Sequence, residues 1–493
     1  MKKYNQYIAP FLLGLMALGS CQKKDLYPVP QTAVSDASAF STAGRIQSQV
    51  LSLYGALKAG GFYGGRYVID GDIKADNFIN EQSNLVTGAD VWNENPTNSA
   101  TAVTGLWSAA YLTINACNLF IDGMNAGGTK VVGPTAAGNY ISEAKLIRAL
   151  SYYSLLQYYA LPYANNNGAN KGLPLRLTGI KSGGFSLLAR SPVDSIYTQI
   201  LSDLNDAEAG LPLSNGSAYN NVTRAHRNTA IALKTRVYLS MQNYNAVITE
   251  ANKIVGPSAP FTSPSGVTFA LQSDITKVFV APYTTSESIL SLPMSSTTGD
   301  NPGTQNQLGF YFSPSKGAVS GGTGNGEYSL NPAGVIADPK WTATDRRRTF
   351  IVTSTTGGKK WLNKYPAPSP YTDFPIVIRY SEVLLSLAEA RVRSTNSIDA
   401  QAVALLNAVR SRSDATTTYT VASFAGTSDL INAILQERNI EFLGEGLRNN
   451  DLMRLQLTVP AKGSAPAKSP SDVGYIWPIS ATELSLNTLC TDN

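Results

Sequence analysis

The chain has 493 residues, of which 43% are hydrophobic and 15% charged, with a formal charge of +5, 1 His and 3 Cys. That is enough apolar material for a sizeable core and too much for a disordered chain, while the small charge argues against nucleic acid as a partner. One His and three widely spaced Cys exclude His-rich metal sites, most His-relay catalysis, a zinc ribbon and a disulfide scaffold. Length allows about three domains, or one large one.

Lys2 and Lys3 precede an apolar run, Ile8 to Leu18, which is too short to span a bilayer and suits a signal sequence. It ends Leu18-Gly19-Ser20-Cys21. Small residues before a cysteine resemble the lipobox of bacterial lipoproteins. Residues 1–20 are therefore read as a signal peptide, Cys21 as the site of lipidation, and residues 21–40, polar with Pro28 and Pro30, as a tether.

Residues 41–255 carry mostly helical periodicity. Leu106, Ala110, Ile114, Cys117, Ile121 and Met124 form one stripe, on which Cys117 reads as a buried free thiol; Cys490 lies too near the end of the chain to place. A strong helix is predicted over Ser142–Ala160. The next is predicted to start at Ser191 as N-cap with Pro192 as first helical residue, its stripe running Ile196, Ile200, Leu204, Ala207, Leu211. Thr223 is a candidate cap for a helix through Ala230, Leu233, Val237 and Met241, with His226 as a solvated or hydrogen-bonded helix residue. A further helix starts after Asn243. The last two pack small residues where helices cross, and Tyr380–Ala390 with Ala402–Val409 repeats the pattern. Both pairs resemble tetratricopeptide units.

Over residues 256–370 the period fades and Gly, Ser, Thr, Pro and Asn dominate, as in Ser320-Gly321-Gly322-Thr323-Gly324-Asn325-Gly326. So long an irregular stretch is the place to look for function. Residues 371–493 return to helix from Ile376 to about Leu455 and end in a tail where Tyr475-Ile476-Trp477-Pro478-Ile479 reads as an extended segment packing an aromatic. The expected architecture is mainly α: tetratricopeptide-like helical pairs in a superhelical scaffold, with a large irregular loop-rich lobe.

Two stretches stand out: Arg379-Tyr380-Ser381-Glu382-Val383-Leu384 through Arg412, and Glu437-Arg438-Asn439-Ile440-Glu441-Phe442 through Arg454. With the lipobox, Leu106-Trp107 to Asn118, Glu143 to Tyr153, Gly172-Leu173-Pro174-Leu175 and Trp477-Pro478-Ile479, they resemble the SusD/RagB family of outer-membrane nutrient-binding lipoproteins. The likeness covers roughly 80% of the chain after the signal peptide. It departs at Ser480, at Asn449 and Asn450, and in the tail after Leu486. The resemblance implies a lipid-anchored protein of the outer membrane, exposed at the cell surface. It would capture an oligosaccharide without catalysis and deliver it to a SusC-like TonB-dependent transporter. No cofactor and no metal are expected. Asp70-Gly71-Asp72 lacks the later acidic ligands of an EF-hand and reads as a turn.

Sugars need an aromatic platform beside polar donors and acceptors. Asn77, Trp92 and Asn93 supply both in the polar stretch before the Trp107 helix, and Tyr311, Phe312 and Trp341 supply rings in the lobe; the resemblance places ligand contacts in both regions. Glu437 and Glu441, at i,i+4, could form a carboxylate pair, but Arg438, Arg448 and Arg454 nearby favour an ion-pair network that locks helices. The rival readings are a helical glycoside hydrolase or lyase, a RagB-like capture protein for peptides, and a ligand-free scaffold.

Overall fold

A computed structural model describes residues 36–184 and 186–493. The signal peptide, Cys21 and most of the tether lie outside the described residues. Among the described residues, eleven helices of eight residues or more carry the fold: α1 Ala43–Leu57, α2 Arg66–Ile73, α3 Thr101–Gly123, α4 Pro134–Tyr159, α5 Val193–Gly210, α6 Arg227–Ser240, α7 Tyr244–Ala251, α8 Tyr380–Thr395, α9 Ala400–Ser413, α10 Thr427–Glu441 and α11 Leu447–Arg454. Consecutive members from α3 to α9 pack against each other, so the expected tetratricopeptide-like scaffold is present.

Eight short strands among the described residues join in antiparallel pairs: β1 Phe78–Asn80 with β5 Tyr328–Leu330, β2 Lys171–Pro174 with β3 Arg190–Pro192, β4 Ser288–Ser291 with β8 Ile376–Arg379, and β6 Ile351–Thr353 with β7 Lys360–Leu362. Among the described residues of 256–370, the longest α-helix is Leu308–Phe312. One hydrophobic core nevertheless runs through all three parts, from Ile46 through Phe279 and Tyr365 to Leu406.

Sequence accounts for several helix starts. Thr42, Asn243 and Asp399 accept backbone N–H groups at the starts of α1, α7 and α9. Helix α4 starts eight residues before Ser142, at Pro134, whose fixed φ suits the first helical position. From Ser142 onward nearly every face of α4 is buried. Its central Arg148 is held by a bidentate bond to Asp203 (2.7 and 2.8 Å) and by Asn118 (2.7 Å).

Other boundaries differ from expectation. Pro192 ends β3 and caps α5 from outside, because the chain there is paired with β2. Thr223 closes a short helix, and α6 begins after His226, whose ring is buried and stacked on Phe269 at 5.6 Å; burial lowers its pKa to about 4. The Ile376-Val377-Ile378 run forms β8 rather than helix, in keeping with its β-branched side chains. Asp70-Gly71-Asp72 lies within α2, not in a turn. The helix crosses the turn at Gly444–Gly446 so closely that a Cβ on Gly71 would sit 2.5 Å from the Gly446 carbonyl oxygen, and Asp72 accepts the Gly446 N–H at 2.7 Å. Trp477 packs on Tyr158 at 4.5 Å, as the tail pattern suggested. Cys117 and Cys490 are buried free thiols, both raised by burial, Cys490 to about 11.

The charged motif residues form one buried network. Glu437 pairs with Arg347 (2.5 Å) and Arg410 (2.7 Å); Glu441 pairs with Arg347 (2.7 Å), Arg379 (2.5 Å) and Arg412. Asp345, Glu287, Glu445 and Lys364 complete it, giving five acids and five bases. The partners proposed from sequence proximity are used elsewhere: Arg438 and Arg454 hold Asp451, Arg454 also holds Glu389, and Arg448 holds Asp76. Burial would raise the Glu441 carboxyl, but Arg412, Arg379 and Arg347 hold it well below the ordinary value. Breaking such a buried pair strands a charge, so Arg379→Met is expected to lower unfolding stability by about 3–5 kcal/mol in denaturant titration.

Asp70 has the opposite environment. Neither of its carboxylate oxygens has a hydrogen-bond partner, and burial raises its pKa to about 7 despite Arg66. Burial also raises Asp72 to about 7, against the Gly446 and Gly444 N–H groups. A carboxyl with a raised folded pKa holds its proton in the native state, so stability falls as pH climbs from about 4 through about 7. Asp70→Asn is expected to flatten that fall and raise stability at pH 8 by roughly 2–4 kcal/mol, read from thermal or denaturant unfolding across pH.

Candidate functional site

A cleft of about 830 Å³ opens on the irregular lobe between β1, β5 and the β6–β7 hairpin. The alternation of the β1–β5 pair sets its wall. Phe78 and Tyr328 turn into the core, while Ile79 and Ser329, opposite each other in register, line the cleft. Leu330, Pro332, Ala333, Ile336 and Ala337 continue the apolar surface. The far rim is the hairpin tip, where Gly357 and Gly358 have φ of +75° and +66°, followed by Lys359 and Lys360.

Polar groups at the cleft are few. Asn331 is fixed by its own loop: its side chain donates to the Asp76 carbonyl (2.7 Å) and accepts from the Ala333 N–H (3.0 Å). Glu81 accepts from the Ser329 hydroxyl (2.5 Å) and pairs with Lys359. Among the lining residues Glu81 is the single carboxylate, and Lys360 is the one charge without an ion-pair partner. Two further hollows, of about 430 and 670 Å³, lie along α3. The first is walled by Trp107, Tyr111, Leu112 and Leu486, and in its lining Arg176 pairs with Glu483 (3.2 Å). The lobe cleft is the larger and the one built from loops on a rigid scaffold.

The whole architecture can now be set beside known proteins. The family model for the SusD family matches residues 342–493, and a second, described as "Starch-binding associating with outer membrane", matches residues 44–239. A SusD superfamily protein from Bacteroides fragilis superposes with a TM-score of 0.80 at 32% identity, over 92% of this chain and 99% of its own. The chain belongs to the SusD family. SusD-like protein P2 of Formosa agariphila is 24% identical over 99% of this chain and 98% of its own length. Surface glycan-binding protein A from Bacteroides thetaiotaomicron, solved in complex with laminarihexaose, shares the fold at 17% identity and a TM-score of 0.71, over 92% of this chain and 99% of its own.

In this SusD family member, five of the six residues proposed as ligand contacts are buried, one layer beneath the cleft. Trp92 donates its indole N–H to the Phe78 carbonyl (2.7 Å), and its ring lies under Gly463, whose absent Cβ would stand 3.1 Å from it. Asn77 accepts from the Val335 N–H (2.9 Å) and donates to Asn439 of α10 (2.7 Å), tying the cleft wall to the scaffold. Phe312 packs on Phe78 at 4.7 Å and Tyr311 stacks on Tyr328 at 6.0 Å, backing β1 and β5. Trp341 lies under the Arg348 guanidinium, 4.3 Å from its ring centre, and Arg348 donates to the Ile336 carbonyl (3.0 Å). Asn93 is exposed, at the end of the short helix Ala89–Trp92, and is not part of the cleft lining.

These side chains therefore buttress the cleft in this conformation and present no ring face to solvent. The lining residues gave weaker signals: the Gly357-Gly358-Lys359-Lys360 tip was one more polar turn within residues 256–370. Glu437 and Glu441 are enclosed by arginines and 0% and 1% exposed, so this pair has no access to a glycosidic bond. Trp341→Ala is expected to cost about 3–5 kcal/mol of stability, the range for a large aromatic removed from a core. Chemical denaturation of the variant checks this.

Proposed function

We propose that this protein captures an oligosaccharide in the lobe cleft, without cleaving it, and hands it to a SusC-like TonB-dependent transporter in the outer membrane. The observation that carries the reading is the cleft itself: an apolar floor with a few fixed polar groups at its edge, held by loops whose backing is locked to the helical scaffold. The starch-binding description of the family model over residues 44–239 and the laminarihexaose complex of the Bacteroides thetaiotaomicron protein favour a glycan over a peptide. The same description favours a place at the outer membrane, and lipid attachment at Cys21 would supply the anchor. Among the described residues no helix is long and apolar enough to cross a membrane.

A hydrolase reading has little to work with here. Glycosidases of the common type set two carboxyls about 5–10 Å apart across the scissile bond. The cleft lining holds Glu81 alone, already paired with Lys359. Capture needs only binding and release, which the scaffold's rigidity favours.

Ala333 is exposed and lines the cleft, so Ala333→Trp obstructs its mouth from the rim without entering the core. Titration calorimetry against soluble glycans, with a parallel assay for new reducing ends, tests the reading. Binding by the unaltered protein, loss of most of that binding in the variant and no reducing ends in either are expected. Cleavage, or binding indifferent to Ala333→Trp, would reject it.

A further inference from the structure

Resting on the capture reading above, we infer that the cleft selects an anionic oligosaccharide, one carrying carboxylate or sulfate groups, through Lys360 and Lys359. A neutral glycan is gripped through ring faces, by aromatic side chains stacked on its C–H surfaces. Here the rings of Trp92, Tyr311, Phe312 and Trp341 are buried under the cleft and spent on packing. The part of the lining that reaches solvent above them is aliphatic, from Ile79, Pro332, Ala333 and Ala337. Such a floor tolerates a sugar and gives it little orientation.

Charge at the rim supplies what the floor lacks. Glu81 is matched twice, by the Ser329 hydroxyl and by Lys359, so its charge is already answered. Lys360 follows Lys359 in the chain, is exposed and has no acidic partner. The lining as a whole is left with one uncompensated positive charge beside an apolar wall. The Lys359–Glu81 pair adds a second cation that can turn to a stronger anion, because Lys359 is 54% exposed and its pair is open to solvent. The hairpin holds both lysines in place: Thr353 and Lys360 are in register, and the Ser354 N–H donates to the Lys359 carbonyl at 2.8 Å. A ligand with an anionic group at each of several residues meets this rim wherever it slides along the floor.

The test uses the full-length chain in detergent, titrated with three probes: neutral laminarin oligosaccharides, carboxylated polygalacturonate oligosaccharides and sulfated carrageenan oligosaccharides. At least one anionic probe is expected to bind more tightly than laminarin, and which one does so separates carboxylate from sulfate. Lys360→Gln is expected to weaken that probe by about fivefold and laminarin not at all, the size of one solvent-exposed charge pair. Raising salt from about 50 to about 300 mM should weaken the same probe in the unaltered protein and less in the variant. Ala333→Trp, which obstructs the cleft mouth, should remove most of the binding of both. If laminarin binds at least as tightly as both anionic probes, or Lys360→Gln changes nothing, the anionic preference is overturned while capture in the cleft stands. If no probe binds, or Ala333→Trp leaves binding intact, the cleft reading falls and the preference with it.

Discussion

Five acids and five bases are packed out of water between the lobe and the C-terminal helices, and the rest of the molecule is arranged around keeping them paired. Asp345, Arg347, Lys364 and Glu287 come from the irregular segment; Arg379, Arg410, Arg412, Glu437, Glu441 and Glu445 come from β8 and the helices after it. A charge moved into a low-dielectric interior costs several kcal/mol unless it is met by its opposite in good geometry. Each member is therefore tolerable only when distant chain elements are all in place, Arg412 and Glu287 pairing across 125 residues. Loops that could not hold a shape by themselves become a definite surface because their arginines and acids have nowhere else to go.

That arrangement explains how an irregular lobe supports a cleft. Residues 256–370 hold little regular structure among those described, yet β4 is sewn to β8, Asn77 joins the lobe wall to α10, and Lys364 reaches the Glu441 and Leu443 carbonyls. The helical pairs supply stiffness and the loops supply shape. The aromatic layer beneath β1 and β5 fills the space between them.

How much of this could be read in the sequence follows from the range of each interaction. Helix pairs α6–α7 and α8–α9 are legible because periodicity is local and repeats every few residues. The ion-pair network was legible as a kind of structure, from the density of Glu and Arg, but not in its pairings. Glu437 meets Arg347 and Arg410, which no spacing rule links to it. The site was half legible. Rings in polar surroundings pointed to the neighbourhood of the cleft, which Trp92, Tyr311, Phe312 and Trp341 underlie. Whether a ring faces water or backs a strand depends on which partner strand lies opposite, and β1 finds β5 some 250 residues away. Lys359 and Lys360 carried no pattern that set them apart from any solvated turn.

The layering of the cleft has an evolutionary consequence. Its buttress is made of large, bonded, buried groups, where nearly any replacement is expensive. Its rim is made of exposed residues on turns, Pro332, Ala333, Ala337, Lys359 and Lys360, where replacements usually shift stability by half a kcal/mol or less. Rim positions can therefore change one at a time, altering the shape and charge of the cleft mouth, while the buttress that makes the cleft exist is inherited intact.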